Sequence, residues 1–448
     1  MTTDPTGLVV RPARTDDIRT IAELWCQAFP SARTVRDRSR MMETGGPYGG
    51  LETVLAGEAD GRVVAACKIY RLTQYFTGRP LPMMGLAAVA VDPDQRRRGV
   101  GADLCTAALR AARARGDLLS VLYPFRPDYY ERLGWGLVGR LHDHRFTTGS
   151  LHRYREADKV RVASLATEAQ HVMACYHRVA AGSHGPIQRD ATAWRYRFAG
   201  EDLAVRPLDE NALERLDRDH RRLVLVYEDT TIAGYALLRL SRDGEHDGSS
   251  LIVRELVAES EAGLRGVLGF LATRSDRWPV ARYLARPEER FEDRLVNPTR
   301  VGSRPGPGLL FTTARIKRGP MLRLVDVPGA LRARRWFDGP SVAASGARQE
   351  HAAAMLRIEV RDHEIPENCG PWAVRIGGGD GAARVEPATD HHADASIVGD
   401  PAVMARLFGG DISISDAARL GLCQATGKLE LADRAFATRE TFWLPDQF

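Results

Sequence analysis

The chain has 448 residues, enough for two to four ordinary domains that each bury a core of their own. Its 44% hydrophobic and 27% charged residues match globular proteins and exclude wholesale disorder. The formal charge of +5 invites a nucleic-acid reading, but lysine stands only at Lys68, Lys159, Lys317 and Lys428. Arginine therefore supplies nearly all of the 63 basic residues. It is interleaved with Asp and Glu, and no aromatic-plus-basic stripe marks a nucleic-acid surface.

The cysteines (Cys26, Cys67, Cys105, Cys175, Cys369 and Cys423) show no CxxC spacing, and several sit in apolar runs, as reduced structural thiols do. The opening "MTTDPTGLVVRPARTDD" has no charged-then-apolar leader, and no uncharged apolar run reaches the length of a membrane span. The expectation is a cytoplasmic protein with neither a nucleic-acid nor a membrane partner.

In chain order, "GLVVRPA" predicts a short strand. "DDIRTIAELWCQAF" predicts an amphipathic helix with Ile18, Ile21, Ala22, Trp25 and Phe29 on one face and Pro30 as its stop. "ETVLAGEADGRVVAACKIYRLTQYF" reads as two strands about the turn "EADGR", and "GLAAVAVDPDQ" as a third strand ending at Asp92 and Pro93. "GVGADLCTAALRAARARGD" carries Val100, Leu104, Ala107, Ala108 and Ala111 at helical spacing, with Gly116 as cap. The strand "LLSVLYPF", the short segment "RPDYYERLGWG" and a closing strand near 140 complete the first third.

The same order recurs weakly beyond residue 150. "HVMACYHRVA" and "ATAWRYRF" predict helices, "RLVLVYEDTTIAGYALLRL" a strand, turn and strand, "SLIVRELVA" a strand and "ESEAGLRGVLGFLATR" a helix. "VGSRPGPG" at 301–308 punctuates the second half. After it, "PMLRLVDVPGALRARRW" predicts a strand leading into a helix. "LRIEVRD", "WAVRIGGGDGAARVEP" and "ASIVGD" predict an antiparallel sheet, followed by helices at "PAVMARLF" and "LELADRAFA".

The chemistry concentrates in "DPDQRRRGVGADL", between a strand and a helix start. Glycines let backbone approach a ligand, the open N–H groups of a helix N-terminus attract a pyrophosphate, and arginines add charge outside. Neither GxxxxGK[ST] nor GxGxxG is present, so the loop is an anion cradle of another kind. Taken alone it reads equally well as a basic, helix-leading loop. "HDH" at 142–144 and "DHHAD" at 390–394 each lie in one exposed-looking segment without a partner at ligand spacing, so no metal is expected. No triad or nucleophile elbow accompanies the serines and cysteines.

With "YYERLGWG" downstream, the loop "VAVDPDQRRRGVG" resembles the Q/R-x-x-G-x-G/A acetyl-coenzyme A motif of the GNAT N-acetyltransferases. The whole layout, with "MLRLVDVPGAL" and an aromatic C-terminus, resembles the Eis (enhanced intracellular survival) branch of actinobacteria. The resemblance implies an α/β (α+β) chain with tandem GNAT folds, the N-terminal one catalytic (1–148) and the central one degenerate (149–314). A sterol-carrier-protein-like α+β domain (315–448) would follow. "ESEAGLRGVLGF" offers only Arg265 and Gly266 for a second cradle, so the central copy is expected to bind no acetyl-coenzyme A.

By the same resemblance, Val89, Ala90 and Val91 would pair with the pantetheine arm of acetyl-CoA. Arg97, Arg98, Gly99, Val100, Gly101 and Ala102 would hold its pyrophosphate, and Phe125 and Arg126 would flank it. Tyr130 matches the general acid that protonates the leaving thiolate; Tyr129 beside it competes for that assignment or packs in the core. The terminal carboxylate on Phe448 would serve as base toward the attacking amine, and "FWLPDQF" would anchor it. An α-carboxylate titrates near 3.5, so it would work by orienting the amine and stabilising the developing positive charge.

The implied acceptors are primary amines, aminoglycosides at several sites or protein lysines, in a homo-hexamer arranged as a trimer of dimers. The sequence departs from the aminoglycoside pattern at Gln447 and at Pro30 and Ser31, where acids are expected; Asp446 is the candidate substitute. A smaller or less charged amine therefore stays open. So do two non-catalytic readings, a lipid or hydrophobic-ligand carrier and an acetyl-CoA-sensing regulator, against which the intact loop and Tyr130 weigh.

Overall fold

The computed structural model describes residues 7–29, 31, 33–199, 222–242, 249–303, 310–336, 354–377, 382–389 and 392–448. The chain forms two compact units, one from residues 1–139, 183–193 and 319–448, the other from 140–182 and 194–318.

The first unit begins with β1 (Val9–Pro12), α1 (Ile18–Ala28), α2 (Val35–Thr44), β2 (Val54–Ala59), β3 (Arg62–Phe76) and β4 (Arg79–Val91). It continues with α3 (Val100–Arg115), β5 (Leu119–Leu122), α4 (Pro127–Arg132) and β6 (Gly136–Leu137). The helical spacings translate into burial: Ile18, Ile21, Ala22, Leu24 and Trp25 of α1, and Val100, Leu104, Cys105, Ala108, Leu109 and Ala112 of α3. Gly116 closes α3 in the left-handed region at φ 86°, its N–H donating to the carbonyls of Ala112 and Arg113. β3 and β4 form a long hairpin about Thr77 and Gly78, whose φ values of 47° and 76° give the turn a twist compatible with the flanking strands.

The closing strand expected near 140 exists as β7 (Arg140–Thr147), but it leaves the first sheet. It pairs antiparallel with β12 (Val280–Ala285) and β13 (Arg315–Arg318), both in the second unit. The first sheet instead takes in β14 (Met321–Leu324), antiparallel between β5 and β6, in the order β1-β2-β3-β4-β5-β14-β6. A period-2 pattern says which residues are strand but not which sheet receives them, because the partners are remote in sequence. All four β14 residues are buried.

Among them is Arg323, wholly buried, paired with the equally buried Asp362 at 2.7 Å. Asn368 completes the group: its amide donates to Asp362 and to the Val325 carbonyl, and its side-chain oxygen accepts from Arg113 and from the N–H of Val327. The first sheet and the C-terminal part of the chain are thus joined by a ladder and an ion pair.

That C-terminal part is a five-stranded sheet in the order β17 (Ala383–Pro387), β16 (Trp372–Ile376), β15 (Ala354–Val360), β18 (Ala395–Gly399) and β19 (Cys423–Gly427), antiparallel as expected except that β15 and β18 run parallel. β15 alternates strictly between buried and half-buried residues. Residues 401–408 and 429–436 form the two expected helices. β19 was not legible, because an edge strand reading "CQATG" has no apolar alternation. Residues 304–308 of the Gly/Pro-rich stretch and 390–391 of "DHHAD" lie outside the described residues.

The second unit repeats the first topologically, in the order β13-β7-β12-β11-β10-β9-β8, with β8 (Val160–Val162), β9 (Arg222–Glu228), β10 (Ile232–Arg242) and β11 (Ser249–Ala258). Its helix Glu261–Ala272 starts on a Ser260 cap, with Glu261 bonded to Arg294. Arg265 is held by Glu156 at 2.5 Å, and Gly266 lies against the ring of Tyr227 and the Glu156 carbonyl. Where the first unit carries arginines, this helix start carries an acid and a glycine used for packing. "HDH" also differs from its expected exposure: it lies on β7, a strand paired on both sides, with Asp143 and His144 buried and Glu292 nearby.

Removing one member of a buried pair strands the other charge. Arg323→Ala is expected to cost about 3–5 kcal/mol in urea unfolding, against less than about 1 kcal/mol for Arg419→Ala in the exposed Arg419–Asp416 pair.

Candidate active site

The site begins where two parallel strands part. β4 pairs with β5 only at Met83, Met84 and Gly85, opposite Leu119, Ser120 and Val121. Beyond Gly85, β4 keeps its ladder to β3, with Ala90 opposite Ala66 and Val91 opposite Ala65, and leaves β5. A register shift falls here, and Ala88 takes φ 51°, the signature of a bulge. The Trp25 indole fixes it, donating to the Ala88 carbonyl at 2.7 Å. Val89, Ala90 and Val91 thus form a strand edge with no β5 partner, able to pair with the amides of an extended ligand.

At the end of that edge lies the loop. Asp92 caps a single turn at Pro93–Gln95, and the chain then passes Arg97 at φ 64° and Gly99 at φ 92° into α3. Residues Arg96 to Gly99 are exposed. Arg96 folds back onto the Val91 carbonyl and Arg98 onto the Gln95 side chain. The amides of Ala102 and Asp103 both bond the Gly99 carbonyl, so those of Val100 and Gly101 stand at the open helix end. Gly101 has no room for a side chain: a Cβ there would lie 2.7 Å from the Tyr129 hydroxyl.

The two tyrosines of α4 divide their surroundings. Tyr129 closes over Gly101, while Tyr130 is only 4% exposed, edge-on to Tyr129 at 5.0 Å, Phe125 at 5.7 Å and Trp135 at 6.1 Å. Burial, with Cys105 and Tyr129 adding to it, holds the Tyr130 phenol well above its ordinary pKa, so it keeps its proton. Phe125 is 67% exposed, a large apolar face at the mouth of the slot. Arg126 is exposed and bonded to Asp128 at 2.5 Å.

The C-terminal tail, in the same unit, runs to the point where the strands part. Trp443 donates its N–H to the His184 carbonyl, and Phe442 packs on Phe76 and His184. The Tyr123 hydroxyl lies 2.9 Å from the carbonyl oxygens of both Leu444 and Asp446. Asp446 is bonded to Arg189 at 2.9 Å, both side chains being buried. The Phe448 ring sits edge-on to Tyr48, Tyr70 and Tyr123 and directly over Gly85, where a Cβ would stand 2.9 Å from it.

Comparison with known proteins reads the same way. Residues 9–138 and 185–324 each match the model of an acetyltransferase (GNAT) domain, and 327–445 that of a sterol carrier protein domain. N-acetyltransferase Eis of Mycobacterium tuberculosis is 27% identical over 373 residues, covering 81% of this chain and 80% of its own. This chain is a GNAT acetyltransferase similar to the Eis enzymes. Eis1 from Mycobacterium abscessus shares its fold at a TM-score of 0.73 and 20% identity, covering 98% of this chain and all of its own. A GCN5-related N-acetyltransferase from Anabaena variabilis superimposes at 0.76 and 20% identity, with coverage of 98% and 100%. An uncharacterized N-acetyltransferase of Streptomyces griseus is 24% identical over 434 residues, covering 94% of this chain and 93% of its own.

In this Eis-like chain the opening between the strands, the loop, Phe125, Tyr130 and Phe448 all fall within one unit, as do the aromatic residues around the tail. Sequence reasoning missed Trp25 as the holder of the bulge, Gly85, Tyr48, Tyr70 and Tyr123. It also missed Lys68, although one of only four lysines inside an apolar strand was a signal. Lys68 alternates with Tyr70 and Leu72 along β3 and is 5% exposed. Its ammonium lies 5.3 Å from the Trp25 ring centre and 5.6 Å from that of Tyr70. Asp446, the expected substitute acid, is committed to Arg189.

Burial, followed by Arg33, pushes the Lys68 ammonium down to about 8. Between that value and the ordinary 10.5 the unfolded chain binds more protons, so this group's contribution to stability rises with pH across that window. Below pH 8 both states are protonated and the buried charge costs about 3 kcal/mol. Lys68→Met should therefore stabilise the protein at pH 7 by about 1–3 kcal/mol, a gain that fades as pH rises from about 8 and is gone above 10.5. Urea unfolding at pH 7, 9 and 10.5 measures it; a pH-independent difference would contradict the assignment.

Proposed function

We propose that this acetyltransferase moves acetyl from acetyl-CoA directly onto a primary amine carrying few positive charges, with Tyr130 as general acid and the Phe448 carboxylate orienting the amine. The observation that carries this reading is the meeting of the Phe448 ring with Gly85, the residue beyond which β4 and β5 part. The chain terminus and the slot converge on one point.

In this reading Val89, Ala90 and Val91 pair with the pantetheine amides. The open amides of Val100 and Gly101, with Arg97 and Arg98 outside them, receive the pyrophosphate. Phe125 covers the thioester arm, and Arg126 and Ala102 border it. The amine nitrogen attacks the thioester carbonyl carbon, the C–S bond breaks, and Tyr130 donates its proton to the departing sulfur. A phenol held protonated by burial suits that task. The carboxylate of Phe448 faces the ammonium that forms on the nitrogen and stabilises it until its proton passes to water.

The acceptor class follows from charge. A polycation needs carboxylates free to meet it, whereas here Asp446 is neutralised by Arg189, position 447 is Gln and Lys68 contributes a cation on the β3 face that carries Tyr70. The Tyr48, Tyr70, Tyr123 and Phe448 rings favour a flat or apolar amine. Aminoglycosides and protein lysines rank below such acceptors. The family resemblance also carries a hexamer, a trimer of dimers, which light scattering on the purified chain tests.

Coenzyme A release should be measured against monoamines, polyamines, lysine peptides and aminoglycosides. Tyr130→Phe and removal of Phe448 are each expected to lower kcat by about 10²–10⁴ while leaving the affinity for acetyl-CoA within about threefold. Full turnover without Phe448 would reduce the tail to packing. Aryl or alkyl monoamines should exceed aminoglycosides in kcat/KM by about tenfold or more; the reverse order would overturn the charge assignment.

A further inference from the structure

We propose that His142, His144 and Glu292, in the second unit and outside the acetyltransfer site, bind one divalent transition-metal ion of the zinc class. The three come together through the fold. His142 and His144 alternate along β7, so both imidazoles stand on one face of the strand. β7 is hydrogen-bonded to β12 on one side and β13 on the other, His144 lying opposite Tyr283 and His142 opposite Ala285 and Ile316, which holds both histidines rigidly. Glu292 comes from the turn Phe291–Arg294, whose Phe291 packs on His144 at 4.8 Å, on Phe146 at 4.9 Å and on Tyr283 at 5.3 Å.

One ligand atom from each residue lies within 4.8 Å of the other two, and no other trio of His, Cys, Asp or Glu does so among the described residues. His144 Nε2 stands 4.0 Å from a Glu292 oxygen, too far for a hydrogen bond. Zinc is held at about 2.0–2.2 Å by imidazole nitrogen and carboxylate oxygen, so small side-chain rotations would close the group around an ion.

A second and independent observation points to a ligand. His144 is 1% exposed, yet neither of its ring nitrogens makes a well-formed hydrogen bond, the Thr313 backbone giving only a weak contact, and the buried oxygen of Glu292 has no partner. Buried polar atoms are normally satisfied, and an ion between the two residues would satisfy one on each at once. Two imidazoles and a carboxylate are a donor set that suits zinc better than magnesium or calcium, which prefer all-oxygen sites. With three protein ligands a fourth position would be left for water. The ion would tie the Phe291–Arg294 turn to the sheet, a structural rather than a catalytic task.

The test uses the full chain, stripped with a chelator and titrated with Zn2+ against a chromophoric competitor, and with Co2+ for its visible d–d absorption. A single ion per chain, bound with Kd on the order of 1 µM or tighter and raising Tm, is expected. Glu292→Gln and His142→Gln, both at half-buried positions that tolerate a neutral amide, should each weaken binding by about tenfold or more and remove the Tm shift. His144→Ala should abolish binding, and if that variant does not fold the other two still decide. No stoichiometric binding, or equal affinity in wild type, Glu292→Gln and His142→Gln, would overturn the site.

Discussion

The parting of β4 from β5 is the constraint on which the site depends. Three paired residues hold the strands together through Gly85, and from there each backbone must find other partners for its amides. β14 pairs the opposite edge of β5 along Leu119 to Leu122, while β4 keeps β3 alone and presents its other edge. The bulge at Ala88, secured by the Trp25 indole, holds that edge in a fixed curve. The loop, the helix start and Tyr130 lie at one end of the opening and Phe448 at its apex. Without the separation these residues would have nothing between them to act on.

Because β14 belongs to the first sheet, the C-terminal domain is part of the active-site unit and not an appendage. The ladder from β14 to β5 and β6, with the buried Arg323–Asp362 pair and Asn368, fixes the five-stranded sheet against the GNAT-like sheet. The last residues can then be aimed. A tail bearing a functional terminus must overcome the disorder natural to chain ends. Here Phe442, the Trp443 amide, the Leu444 and Asp446 carbonyls and the Asp446 carboxylate are each held before Phe448 is reached. The packing reading and the proposed functional reading of "FWLPDQF" are therefore compatible, since the packing would hold the terminus that the proposed role needs.

Electrostatics separates the two halves of the opening. The loop end is cationic and exposed, suited to a solvated pyrophosphate. The terminus end is aromatic, with its nearby acid neutralised by Arg189 and with Lys68 buried against Trp25 and Tyr70. The central copy shows what the same topology becomes without these charges. Its helix starts with Glu261, and Gly266 is filled from below by Tyr227, so the fold survives where the cradle does not.

The sequence by itself determined much of the secondary structure, because apolar periodicity and glycine and proline punctuation are local signals. It also marked the loop as a candidate anion cradle, since such a cradle has its arginines, glycines and helix start within one short stretch. Tertiary structure alone decided which sheet each strand joined. β7 and β14 read as ordinary strands, but their partners lie far away along the chain, and register is set by those partners. It alone decided that Asp446 would meet Arg189 and be lost to an acceptor, a choice between residues with no sequence relation to one another. It likewise brought Glu292 to the histidines of β7. Spacing along a chain reports on chemistry only when the partners are neighbours in sequence, and these became neighbours by folding.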